Sequence, residues 1–296
     1  MDLVGKTPLV KLNLKKQTKC DLYIKLEGAN PTGSVKDRAC VSNILNAIQG
    51  VDVKDKILLD ASSGNMATSI AFFSNLLGIK SEVVCSNKLT DDKRRFINHY
   101  NCKLTTMGDF TIEGNRYCKD VSNKDDRYIF LDQLHNWNNP FAHKDSLGPE
   151  LYDDLPEAKN IYGSLGSGGT MTGIAMYYSE NSIDIDITPV VGCSGSKIPG
   201  VGAFVDGDYI TPFIAYSEKR NLWKNRRIFS HTRMIEANDI LKRNSIFAGP
   251  QTSAVLSVVL DDMCEAGDYE SIKRVEPDID KCLKNNEMTS LPKDSL

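Results

Sequence analysis

The sequence predicts an α/β protein with largely parallel sheets, and three observations carry that prediction. Short apolar runs rich in β-branched residues alternate with amphipathic stretches of helical length. Small polar turns stand at the junctions between such a run and the next helix, as at Ser62-Ser63-Gly64-Asn65 and again at Gly163–Thr170. The chain has 296 residues, enough for one large or two medium domains, each with its own core.

Taken in order, Leu22–Leu26 reads as a strand and Asp37–Ile48 as a helix. Lys56–Asp60 is a second strand, entering the Ser-Ser-Gly-Asn turn and then a helix over Ala67–Leu77. Ser81–Cys85 follows as a strand and Asp91–Tyr100 as a helix. The later half repeats the idea: a strand at Asn160–Gly163, a glycine-rich turn, a helix through Tyr178, then a strand at Ile187–Gly192. Parallel neighbours need a crossover of this length, usually a helix, so the alternation points to parallel sheets. No internal repeat is present, and the polar, patternless Asn285–Leu296 is expected to be loosely held.

Composition narrows the function. A hydrophobic fraction of 41% with 25% charged residues is that of a soluble globular protein, and a net charge of −3 selects no partner. No basic block suggests nucleic acid. The longest apolar stretches, Ile70–Phe73 and Ala254–Leu260, fall short of a membrane span. Met1–Lys6 lacks the layout of a secretory signal, so a cytoplasmic location is expected. The eight cysteines are scattered without CxxC pairs, and the four histidines show no metal spacing. Neither disulfides nor a metal are expected.

Ligands of open α/β sheets collect where strands lead into helix N-termini, and three such loops stand out. In Asn30–Arg38, Pro31 and Gly33 break the preceding strand, and Lys36 falls where a helix begins. Partial positive charge at a helix start favours a neutral lysine, which can attack an aldehyde. A solvated surface lysine is the ordinary alternative. In Ala61–Met66, hydroxyls, an amide and helix-start N–H groups suit a carboxylate, while Asn65 could donate to a phenolate oxygen. A plain serine-capped helix start reads equally well. In Gly163–Thr170, small residues let backbone N–H groups close around a phosphate, with Ser167 and Thr170 adding hydroxyls. It lacks the Lys-Ser/Thr ending of a nucleotide-binding loop, and a tight turn is the alternative.

In this order the loops resemble those of fold type II pyridoxal-phosphate (PLP) enzymes, specifically the cysteine synthase and cystathionine β-synthase group. Gly5–Val10 looks like that family's start, and Lys25–Arg38 closely matches its cofactor-lysine segment. Ser63-Gly64-Asn65 matches its substrate-carboxylate and ring-hydroxyl loop. Asp132-Gln133 with Asn139–His143 and Gly148-Pro149-Glu150 resembles its interdomain segment. Gly166-Ser167-Gly168-Gly169-Thr170 matches the phosphate loop, and Lys197–Ala203 a segment lining the substrate entrance. The resemblance covers roughly residues 4 to 260.

That resemblance implies two α/β domains with twisted, largely parallel sheets, helices on both faces, and PLP in the interdomain cleft. The smaller domain would span 35–145; residues 1–34 and 146–296 would form the larger, and two copies would pair as a homodimer. Lys36 would hold the cofactor as a Schiff base and then take the Cα proton. Ser62, Ser63, Gly64, Asn65, Met66 and Gln133 would surround the substrate. Asn65, the Gly166–Thr170 loop (Gly166, Ser167, Gly168, Gly169, Thr170), and Gln251 or Thr252 would hold the cofactor. The implied activity is β-replacement on O-acetylserine, O-phosphoserine or cysteine through an aminoacrylate, completed by a small nucleophile.

Three departures qualify it. Met66 stands where the family's loop usually has threonine and cannot donate the hydroxyl's bond. Similar methionines occur in cyanoalanine synthase-like members, so the nucleophile can differ from sulfide. Ala248–Ala254 replaces the family's Gly-Ile-Ser-Ser-Gly; direct alignment puts Gln251 opposite the pyridine nitrogen, and a one-residue slip puts Thr252 there. Either is neutral, which suits β-elimination more than transamination. The family's Pro-Asp strand is only faintly echoed at Glu276-Pro277-Asp278. No arginine occurs in Ser194–Phe204 to grip a substrate phosphate, which favours an acetyl leaving group. The alternatives are 2,3-diaminopropionate- or cyanoalanine-synthase-like replacement, a serine/threonine dehydratase, or a slow PLP-binding paralogue.

Overall fold

The computed structural model describes residues 3–14, 18–195, 198, 200–204 and 209–266. The stretches Glu276-Pro277-Asp278 and Asn285–Leu296, and residues 197 and 199 of the entrance segment, lie outside the described residues.

Three sheets organise the chain. A small antiparallel pair, β1 (Leu9–Lys11) and β2 (Tyr23–Lys25), precedes helix α1 (Lys36–Ile48). The second sheet takes β3 (Ile57–Ala61), β4 (Lys80–Cys85), β5 (Lys103–Thr106) and β6 (Tyr128–Phe130), all parallel, in the spatial order β5-β4-β3-β6. Its crossovers are α2 (Asn65–Leu76), α3 (Asp91–His99) and α4 (Thr111–Lys124). The third sheet, β7 (Asn160–Ser164), β8 (Asp186–Val191) and β9 (Arg227–Ile228), is also parallel. Around it stand α7 (Gly169–Glu180), α8 (Pro212–Lys219), α9 (His231–Arg243) and α10 (Pro250–Glu265).

The α/β class with parallel sheets is thus as the sequence predicts, and every strand and helix anticipated above forms, with ends moved by up to two residues. Both faces of the second sheet are buried, and the alternation along β3 shows how. Leu58 packs with Ala39, Ile44, Ile70 and Phe73 on the α1–α2 side. Leu59, its neighbour, packs with Val84 and Cys118 on the α4 side. In the third sheet Ile187 and Val191 join Met171 and Ile174 of α7, while Val190 joins Ala254 and Val258 of α10.

Between the two parallel sheets runs a helical segment that periodicity did not single out: α5 (Asn138–Ala142), a π-helical turn (His143–Leu147) and α6 (Gly148–Asp154). It passes close to α7 because Gly173 has no side chain; a β-carbon there would fall 2.2 Å from the Pro140 carbonyl oxygen. The strands β5 and β6 were also missed, being three or four residues long without full burial.

Candidate active site

The strand order β5-β4-β3-β6 reverses direction at β3, since β4 lies on one side of it and β6 on the other. A crevice opens at such a switch point, beyond the carboxyl ends of the two diverging strands. Here those ends lead into Ser62–Gly64 after β3 and Leu131–Gln133 after β6, two segments distant in sequence. Gln133 joins them: its Nε2 donates to the Ala61 carbonyl at 2.7 Å and its backbone N–H to Asp60 Oδ2 at 3.3 Å.

Lys36 is the first residue of α1 and lines the same cleft. Burial lowers its amine from the ordinary value of 10.5, so desolvation acts in the direction the sequence leads one to expect. Its neighbours on the helix anchor it from both sides. Asp37 is fully buried and accepts from the Thr32 backbone N–H at 2.8 Å and from Ser69 Oγ at 2.6 Å, which ties the loop and α1 to α2. Arg38 donates from Nε to Glu27 Oε2 at 2.8 Å and from Nη1 to Glu150 Oε1 at 2.7 Å. Against the effect of burial, this pairing raises Arg38 and holds the Glu150 carboxyl at about 2.

The Ser62–Met66 loop differs from its expected form in two ways. Helix α2 begins at Asn65 with Gly64 as N-cap and no side-chain cap; the serines are engaged elsewhere. Ser62 Oγ accepts from the Gly64 N–H at 3.1 Å, and Ser63 Oγ donates to Ser86 Oγ at 2.8 Å while accepting the Ser86 N–H. Met66 is 1% exposed and its side chain belongs to the α1–α2 core, so it is a packing residue more than a substrate contact. The Asn65 carbonyl accepts the hydroxyls of Thr68 and Ser69, and among the described residues its side-chain amide makes no hydrogen bond where the residue lines the cleft.

Across the cleft, the glycine loop leads into α7. Gly168 caps that helix with φ of +88°, a left-handed conformation glycine adopts without penalty. A β-carbon on Gly166 would lie 2.6 Å from the Gly200 carbonyl oxygen. The loop is braced rather than loose: Thr211 Oγ1 donates to the Ser167 carbonyl at 2.6 Å, and Asn139 Nδ2 donates to the Gln133 carbonyl at 2.8 Å and reaches Ser167 Oγ at 3.5 Å. Thr170 Oγ1 pairs with Nε2 of His143 at 3.2 Å. His143 is fully buried; burial, then the charges of Lys36 and Arg38, keeps it neutral, well below its usual range. Gln251 and Thr252, in the first turn of α10, both line the cleft, and the Gln251 amide lies over Gly200.

One cleft of about 3540 Å³ therefore gathers Lys36, Ser62–Met66, Gln133, Gly166–Gly168, Thr170, Gln251 and Thr252. Gly169 alone stands back from it, against Asn139; a β-carbon there would fall 2.1 Å from Asn139 Oδ1. A desolvated amine sharing a cleft with two helix N-termini, one opened by a glycine cradle, suits a ligand with an aldehyde and a phosphate. His143, Asn139 and Asp60 were not picked out as site residues by motif reading. The match to Asn139–His143 was a signal for the first two, whereas Asp60, one strand residue among apolar neighbours, offered none.

The comparisons agree with this chemistry. Residues 1–275 match the family model described as pyridoxal-phosphate dependent enzyme, and the chain belongs to that family. Its cofactor is accordingly pyridoxal phosphate, which the Lys36 amine and the glycine cradle fit. Cysteine synthase B of Pseudomonas aeruginosa is 31% identical over 267 residues, covering 88% of this chain and 87% of the relative. A probable cysteine synthase of Bacillus subtilis is 28% identical, with 94% and 90% covered. Among solved structures, a hydrogen sulfide-producing enzyme from Fusobacterium nucleatum superposes with a TM-score of 0.80 at 24% identity, covering 90% and 92%. O-ureido-L-serine synthase gives 0.81 at 21% identity, covering 90% and 87%. At that identity these two speak for the fold alone.

Proposed function

We propose that this enzyme performs β-replacement on an activated L-serine, O-acetyl- or O-phosphoserine, or on L-cysteine, in the manner of a cysteine synthase. The observation that carries the reading is the placement of a desolvated Lys36 amine in one cleft with the Asn65 and Gly168 helix starts. Bound pyridoxal phosphate supplies an electron sink for negative charge at the substrate Cα.

The chain's own groups do the rest. Lys36 would hold the cofactor, and its amine would serve as the base for the substrate Cα proton, for which a lowered amine pKa is an advantage near neutral pH. The backbone N–H groups of Gly166–Thr170 and the α7 start hold the phosphate, with the Ser167 and Thr170 hydroxyls adding bonds. Asn65 steadies the ring oxygen. The Ser62–Asn65 N–H groups and Gln133 orient the substrate carboxylate. Gln251 or Thr252, both lining the cleft, would stand near the ring nitrogen without a charge to offer it, which suits elimination and addition at the β-carbon.

We assign residues 35–145, which include the four-stranded sheet, to a smaller domain, and 1–34 with 146–296 to a larger one. A homodimer in the cytoplasm completes the proposal. Among the described residues no helix is long and apolar enough to cross a membrane. The two cysteine synthase relatives favour a sulfur nucleophile over the amine or cyanide alternatives.

The test is the absorbance spectrum of the purified protein, recorded as O-acetylserine, O-phosphoserine and cysteine are added in turn, with sulfide, cyanide or an amine following. A cofactor band that shifts with one donor and recovers with one nucleophile names both substrates. Keto acid without added nucleophile would make it a dehydratase, and a protein that binds the cofactor but ignores every donor would refute the proposal.

A further inference from the structure

The wall of the cleft above the Ser62–Asn65 loop carries a cation with no role so far. Lys93, on the first turn of α3, is half-buried and lines the cleft beside that loop. A β-carbon on Gly64 would lie 3.8 Å from Lys93 Nζ, so the ammonium stands over the middle of the loop. Burial lowers its pKa from 10.5, with only the Cys85 thiol opposing. Among the described residues it makes no ion pair and no side-chain hydrogen bond. A partly desolvated ammonium without a counter-charge is costly until an anion arrives.

The neutral donors around it are partly committed. Ser63 Oγ is held by Ser86, Gln133 Nε2 already donates to the Ala61 carbonyl, and Met66 faces the core. What remains for a carboxylate is backbone N–H, the Ser62 hydroxyl, which so far only accepts, the Asn65 amide and, as the one charged donor beside the loop, Lys93. The surrounding charges are mixed: exposed Lys88 and Arg116 line the same wall together with Asp109, and the nearby Glu113 carboxylate is already held by the Asp109 and Phe110 N–H groups.

Building on the β-replacement reading, we propose that Lys93 binds the α-carboxylate of the amino-acid substrate, closing it against the Ser62–Asn65 N–H groups. The charge would replace donors that this loop does not offer through Met66 and Ser63. Lys93 is a substrate-binding residue and takes no part in bond making.

The experiment titrates the PLP-loaded protein with L-serine and with ethanolamine, which lacks the carboxylate, and follows the cofactor spectrum. Lys93→Met is expected to weaken L-serine by about 10-fold or more, the scale of one charge-assisted bond. Ethanolamine should stay within about twofold, because it has nothing for Lys93 to hold. Lys93→Arg should recover most of the loss, and Lys93→Gln is read in the same way if the Met variant does not fold. In turnover, KM for O-acetylserine and O-phosphoserine should rise alike.

Unchanged L-serine affinity, or equal losses for both ligands, would overturn the proposal. So would a loss confined to O-phosphoserine, which would place Lys93 at the leaving group. A wild-type protein that turns over normally while Lys93→Met is silent sinks Lys93 alone. A protein that binds L-serine through Lys93 but catalyses no replacement sinks the function and leaves this assignment standing.

Discussion

Ser69 Oγ donates to Asp37 Oδ1 at 2.6 Å, and this bond joins the helix that begins with Lys36 to the helix that begins with Asn65. Lys36 and Asn65, which line one cleft, are thereby tied together through one buried carboxylate, one residue from the lysine. Catalytic groups held within a fraction of an ångström by such supports need little reorganisation on binding.

Lys36→Ala should lose the long-wavelength cofactor band of the purified protein and reduce turnover by about 10²–10⁴-fold or more. Absorbance and donor consumption check it. A variant that retains both would remove Lys36 from the chemistry.

Arg38 has a side chain only 1% exposed between Glu27 and Glu150, which are 17% and 19% exposed. Arg38→Met leaves Glu27 without its cation and Glu150 with Lys25 alone, at a cost of about 3 kcal/mol. The partial exposure of the glutamates keeps that figure at the low end. Urea unfolding measures it, and Glu27→Gln added to Arg38→Met should return part of the loss.

Burial raises the Asp60 carboxyl from 3.8 to about 8, with Asp132 adding repulsion and the Ala61 and Gln133 N–H groups opposing. Between pH 4 and 8 the folded protein therefore holds a proton that the unfolded chain has released. This group's contribution to stability falls as pH rises through that window. Asp60→Asn keeps an acceptor but cannot ionise. Its stability relative to wild type should climb from pH 5 to pH 8 and level off above, as denaturant titrations at several pH values will show; a constant difference would contradict the assignment.

Met66→Thr restores a hydroxyl at the loop, yet the side chain points into a core with Ala39, Ile44 and Ile70. The expected result is a loss of about 2–4 kcal/mol from the cavity and the buried hydroxyl. No fall in KM should accompany it. A lower KM with intact stability would show that position 66 faces the substrate.

Gly168→Ala forces a side chain into φ of +88°, with the new carbon 2.5 Å from Ile214 Cγ1. A stability loss of about 2–4 kcal/mol and weaker cofactor retention on dialysis are expected. Unaltered retention would argue against this loop as the phosphate cradle.

Much of this was legible in the chain. Runs such as Ile57–Ala61 and Lys80–Cys85 carry enough apolar, β-branched character to declare strands, and the turns after them declare helix starts. Motif residues also marked one cleft, since Lys36, Asn65 and the glycine loop that lines it need no partner to be noticed. The short strands β5 and β6 were illegible because so few residues average out any period, and their burial comes from neighbours.

The sequence by itself determined the class of fold and the loops that meet at the cleft, because these rest on local periodicity and on small residues at fixed spacing. Only the tertiary structure decided which side chains of those loops are free to act. Ser63 is bound to Ser86, Met66 is packed into the core, and Lys93 is delivered to Gly64 from a helix nearly thirty positions away. Such pairings arise from the switch of strand order at β3 and from close packing across the sheet. No local pattern encodes the distance between two segments until the chain has closed around them.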